Sequence, residues 1–126
     1  MARSVESCPN LPPNSGLEWS YHEGPDFDVC YASFVGGGAR AFGVYLGNFP
    51  SFSPEHATVV GNGKIAGRKV KWYRQETADD SSSLARQTLL TLDEKSGYVA
   101  HIWVTADTEQ QLKDRLAILE RITFKH

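Results

Sequence analysis

Along most of this chain, apolar and aromatic residues recur at every second position, the spacing of strands with one buried face. The strand pattern begins at Trp19. Residues 27–35 are rich in β-branched and aromatic types, Gly36-Gly37-Gly38 follows, and residues 41–46 resume the pattern. Two such runs around a glycine cluster predict a hairpin, because glycine takes the positive φ of tight turns without steric cost. Phe42, Val44 and Leu46 then share one face of the second strand, with Gly43 and Tyr45 on the other. Pro50 and Pro54 make residues 47–54 a loop. A short strand over residues 58–60 leads to Asn62-Gly63, a strong turn signal, and residues 69–74 alternate with Val70 and Trp72 on one side and Lys69, Lys71 and Tyr73 on the other. The polar residues 77–83 read as a connecting loop. Residues 86–92 and 98–104 form a second expected hairpin across residues 93–97.

Only the C-terminal region switches to a helical period. Leu112, Leu116, Leu119 and Ile122 recur at helical spacing, while Lys113, Asp114, Arg115 and Glu120 fall on other faces. Asp107 with Gln110 three residues on predicts the N-cap, and Glu109 with Lys113 is a supporting i,i+4 pair. One apolar stripe means that this helix lies on a sheet. The expected fold class is therefore α+β: one domain over residues 17–126, a mostly antiparallel sheet of five to seven strands with a C-terminal helix packed on one face. Residues 1–16 hold Pro9, Pro12, Pro13, Asn10, Asn14 and Gly16 and read as an extended N-terminal arm.

Composition narrows the function classes. At 126 residues and 40% hydrophobic content the chain can bury one real core, and nothing resembles a disordered tail. Thirteen Lys and Arg against fifteen Asp and Glu leave a formal charge of −2, so no bulk attraction to nucleic acid or anionic lipid is expected. No apolar run approaches the ~20 residues of a membrane-spanning helix, and the N-terminus carries no secretory signal as written, which also fits a mature domain whose leader was removed. The two cysteines, Cys8 and Cys30, form no CxxC motif, which argues against zinc-ribbon and thioredoxin-type chemistry. Either they pair and pin the arm to the sheet, or they are unrelated thiols, one buried and one on the arm.

The candidate chemical motifs are thin. Gly61-Asn62-Gly63-Lys64-Ile65-Ala66-Gly67 has phosphate-loop flavour but the wrong spacing and no helix after it, so it reads as a hairpin turn. His22, His56, His101 and His126 form no HxH or HExxH pair, and no metal site is expected. The serines of Asp79-Asp80-Ser81-Ser82-Ser83 sit in an acidic loop, a poor platform for a nucleophile, and no GxSxG elbow exists. Residues 68–74 could offer Lys69, Lys71 and Tyr73 to a nucleic acid, but a half-exposed strand with Trp72 in the core accounts for them, and no nucleic-acid partner is expected. In the loop, Phe49 and Phe52 either plug the end of the core or form a stiff hydrophobic contact patch.

The terminal stretch Gly97-Tyr98-Val99-Ala100-His101-Ile102-Trp103-Val104, then Thr105-Ala106-Asp107 opening a helix, then Ile122-Thr123-Phe124, resembles the close of PsbP-like domains, small lumenal or periplasmic α/β sandwiches. The resemblance is one of element order over roughly the last 40 residues, and the N-terminal half lacks the family's aromatic-Pro-Trp opening. It implies an accessory role without catalysis and an extracytoplasmic home, and it assigns no site residues.

Two functional expectations result. The first is a non-enzymatic accessory domain that engages another protein through the sheet edge or the aromatic loop. The second is a small-ligand binder or minor enzyme with a pocket between sheet and helix lined by Tyr31, Tyr45, Trp72 and His101. Phe49, Phe52, Tyr45, Tyr73, Trp103 and His101 are the candidate binding residues; no catalytic residue and no cofactor is called for. A concave arrangement of Tyr45, Tyr73 and Trp103 beside perturbed titratable groups favours the ligand pocket, and a flat patch favours the protein partner.

Overall fold

The computed structural model describes residues 5–36, 40–74 and 84–124. Seven strands form one antiparallel sheet: β1 (Leu17–Glu23), β2 (Asp28–Phe34), β3 (Arg40–Gly47), β4 (Val59–Ile65), β5 (Arg68–Arg74), β6 (Arg86–Asp93) and β7 (Tyr98–Val104). The spatial order is β1-β2-β3-β7-β6-β5-β4, so β3 and β7, far apart in sequence, are central neighbours. A helix, α1 (Glu109–Arg121), follows β7. The chain is thus a small α+β domain, with the C-terminal helix that the periodicity calls for. No helix among the described residues is long and apolar enough to cross a membrane.

The register separates the two faces of the sheet. Phe42, Val44 and Leu46 pair with Val104, Ile102 and Ala100, and Cys30 and Ala32 continue the same face on β2. All of these are buried. Helix α1 covers this face near β4 and β7. The rest is covered by the N-terminal segment, which is more than a loose arm. Cys8 is buried and disulfide-bonded to Cys30. The Pro9 carbonyl accepts a 2.7 Å hydrogen bond from the Trp19 indole. Asn10 exchanges backbone hydrogen bonds with Thr123 at 2.8 and 3.2 Å, tying the segment to the chain beyond α1.

Three local features differ from the expectations. The β4–β5 turn is at Ala66-Gly67, both with positive φ as a two-residue hairpin turn requires, and Asn62-Gly63 lies inside β4. Gly63 is needed there because a Cβ would stand 2.7 Å from Nε1 of Trp72. The glycine-rich run is therefore an edge strand with a turn at its end, and no helix opens after it. The helix starts one residue later than predicted: Thr108 is the N-cap, its hydroxyl accepting from the Gln111 N–H at 3.1 Å, while the Gln111 side chain accepts from the Asp107 N–H at 2.9 Å. Thr108→Ala is therefore expected to cost ~1 kcal/mol, and Asp107→Ala close to nothing, in paired denaturant titrations. On α1, Leu112, Leu119 and the C-cap Ile122 are buried as the stripe predicts, but Leu116 is only half-buried. Arg115, expected on a face other than the apolar stripe, is buried; its guanidinium donates to the Thr105 carbonyl and lies 5.5 Å from the Phe34 ring centre.

Candidate functional site

Alternation along the central strands sends a second set of residues to the face opposite α1. Gly43 and Tyr45 of β3 stand opposite Trp103 and His101 of β7, Val29 and Tyr31 of β2 flank them, and Gln87 of β6 pairs with Trp103. Val29, Tyr31, Tyr45, Ser51, Gln87, His101 and Trp103 line an open-sided cavity of about 370 Å³. That volume is within the range of small-molecule sites.

Each wall is held by an identifiable contact. The Trp103 indole lies directly over Gly43, where a Cβ would come within 2.3 Å of its ring carbons, so only glycine lets the indole lie against the sheet. Tyr31 meets Trp103 edge-on at 6.0 Å, and the Arg40 guanidinium stacks on Tyr31 at 3.9 Å. The Tyr45 hydroxyl accepts from the Phe49 N–H at 3.0 Å, fixing the start of the loop that leaves β3. That loop folds back over the face: Phe52 stacks on His101 (5.4 Å, 21° between planes) and contacts Tyr73 at 5.6 Å.

His101 is buried between Phe52 and Trp103, 5.2 Å from the latter. Its Nε2 and Oε1 of Gln87 form a 3.1 Å hydrogen bond. Burial pushes its pKa down to about 4, because the charged imidazolium would lose hydration. At neutral pH the ring is uncharged, so none of the seven lining side chains carries a charge.

The expected site residues are thus partly brought together. Tyr45, His101 and Trp103 line the cavity, and Phe52 and Tyr73 form the adjoining aromatic cluster. Phe49 is separate from both and 77% exposed, so the two loop phenylalanines act differently and neither plugs the core. The pocket expected between sheet and helix is instead on the opposite face for Tyr31, Tyr45 and His101; Trp72 alone points toward the helix and is buried there. Sequence reasoning missed Gln87, Val29, Ser51 and the supporting role of Gly43. Gln87 shares a strand face with Leu89 by simple alternation, but only the β6–β7 register puts it beside Trp103.

Among the described residues no group of three or more His, Cys, Asp or Glu side chains could hold a metal ion. His126 and the acidic serine run at residues 79–83 lie outside the described residues. Comparison with family models, with curated proteins and with solved structures returns no match.

Proposed function

We propose that this protein is a binding domain whose sheet face opposite α1 takes a small, neutral, ring-bearing molecule that both stacks and hydrogen-bonds, as a sugar ring does. The observation that carries this reading is the Trp103 indole pinned flat against Gly43 inside a cavity whose lining, among the described residues, holds no charged side chain. A fixed aromatic surface loses little entropy on docking, so stacking there is not offset by ordering the side chain. Gln87, Ser51 and the hydroxyls of Tyr31 and Tyr45 supply hydrogen-bonding groups around it. An uncharged lining favours a neutral ligand, because a desolvated ion would find no counter-charge among the lining side chains, and the neighbouring Arg40 guanidinium is engaged on the Tyr31 ring. The Cys8–Cys30 bridge fits an oxidising, extracytoplasmic compartment, as does the likeness of the C-terminal element order to PsbP-like domains.

The test is a binding screen of neutral mono- and disaccharides and neutral heterocycles, followed by the indole N–H and His101 ring signals in NMR spectra. Hits are expected to shift the Trp103 and His101 signals and to be lost in Trp103→Ala. Gly43→Ala is expected to displace the indole, weaken binding, and cost ~1–3 kcal/mol by overpacking. Affinity should be flat from pH 8 to 6 and fall toward pH 4, since protonating His101 puts a charge into the site. Hits that bind Trp103→Ala equally well, or a screen in which no neutral compound binds while charged analogues run beside it do, would refute the assignment.

Phe49 supports a second reading. A phenylalanine 77% exposed on a loop whose base is fixed by Tyr45 is suited to contact another protein. Phe49→Ser tests that contact without touching the cavity, whereas Phe52→Ser opens the cavity and leaves Phe49 in place.

A further inference from the structure

Strand β4 ends the sheet: it pairs with β5 and, among the described residues, with no other strand. The register shows which backbone groups face outward. In a two-residue hairpin the residues flanking the turn exchange hydrogen bonds, and opposed pairs alternate from there. Ile65 and Arg68 flank the turn, so Gly63↔Val70 bonds inward, while Lys64↔Lys69 and Asn62↔Lys71 are the alternate pairs. The N–H and C=O groups of Asn62 and Lys64 therefore point away from the sheet, as a template for another strand.

Both sides of this edge are shaped. On the helix side, Gly63 leaves room for a groove of about 220 Å³ between β4 and α1, with Trp72, Leu116 and Ala117 on its apolar walls. On the opposite side, Lys64 stands directly across from Lys69, with Lys71 beside them, a like-charge arrangement that is unfavourable until an anion approaches. Residues 59–74 hold five of the chain's thirteen Lys and Arg and none of its fifteen Asp and Glu. One carboxylate, Glu120 of α1, borders both the groove and the cavity lined by Lys64, Lys69 and Lys71, one negative charge against three positive ones.

We propose that the outer edge of β4 takes up an extended acidic segment of another protein as an eighth strand. Main-chain hydrogen bonds to Asn62 and Lys64 would set its register. Alternate side chains would then divide by face, apolar ones entering the groove beside Trp72 and Leu116 and carboxylates meeting Lys64, Lys69 and Lys71. The same lysines disfavour a second copy of this chain at the edge, since two β4 strands would bring their positive charges together. This inference is independent of the cavity on the open face: it uses none of that cavity's residues.

The experiment is fluorescence polarisation with a labelled peptide of four Val-Glu repeats, compared with its Val-Lys counterpart and with versions N-methylated at alternate residues in each of the two registers. The acidic peptide is expected to bind in a salt-sensitive manner. The Val-Lys peptide and the Lys69→Glu, Lys71→Glu double variant should each bind about tenfold more weakly or worse. N-methylation in one register only should abolish binding, because only one set of amides faces β4. Lys64→Pro removes an outward N–H without breaking the β5 pairing and should also weaken binding. The proposal is overturned if the acidic peptide fails to bind up to about 1 mM, if both N-methylated versions bind like the parent, or if a single-stranded oligonucleotide of equal charge binds more tightly than the peptide.

Discussion

Replacing Cys8 and Cys30 together by alanine is expected to lower the unfolding free energy by ~2–5 kcal/mol, the usual range for removing a native bridge from a small domain. The two cysteines are 22 residues apart, and in the chain-entropy model opening a loop of that length costs about 3 kcal/mol. Both positions are buried, so the lost sulfur contacts add to the entropic loss. The bridge holds the N-terminal segment on the β2 side of the core, and the Pro9 and Asn10 hydrogen bonds follow from that placement. Denaturant titration of the double variant checks the magnitude. Amide exchange at Asn10 and Thr123 checks the mechanism, since those two amides should lose protection before the central strands do. A variant with wild-type stability would mean that the segment docks through its prolines and Asn10 alone.

Leu119→Ala is the other change expected to act strongly, with a loss of ~2–5 kcal/mol. Leu119 is completely buried between α1 and the sheet, and the carbonyl of the same residue accepts from Ala66 N–H at the tip of the β4–β5 turn. Truncation leaves a cavity where helix and hairpin meet, and neither can close it without breaking that backbone contact. Leu116→Ala, at the half-buried rim of the groove, should cost clearly less although the two leucines share the same helical stripe. Equal losses at the two sites would show that α1 is rotated relative to the sheet described here.

The errors of sequence reading share a physical origin. The Asn62-Gly63 pair is the stronger local turn signal, yet the chain turns at Ala66-Gly67, because Gly63 must lie under Trp72 and strand pairing of Lys64 with Lys69 fixes the register. Ala66 with positive φ has no local signature; it is held by packing and by its bond to Leu119. Asp107 and Thr108 are both good capping types, and only the hydroxyl geometry of Thr108, accepting from Gln111 N–H, makes it the cap. Arg115 stands three residues after Leu112 and four before Leu119, on the buried side, where an acceptor at Thr105 and an aromatic ring at Phe34 make its burial tolerable.

The candidate site was legible as a set of residue types but not as a place. Alternation placed Gly43 with Tyr45 on one face of a strand, and it holds equally for His101 with Trp103. It contains no information on which strands are neighbours. The apposition of Gly43 with Trp103 and of Tyr45 with His101 depends on β3 lying beside β7, a pairing across more than 50 residues. The division between Phe49 and Phe52, two rings three residues apart in one loop, likewise follows from which ring the folded loop brings over His101.

The class of the fold, with period-2 strands, one amphipathic C-terminal helix and an apolar face that must be covered, is legible locally, since short-range periodicity and burial set it. Among the described residues, the fold alone settles that the N-terminal segment shares that covering role with the helix, that the aromatic face lies opposite α1 beneath a loop, and that β4 is an edge. Those outcomes rest on strand order and register, which arise from contacts between residues distant in the chain and have no counterpart in local spacing.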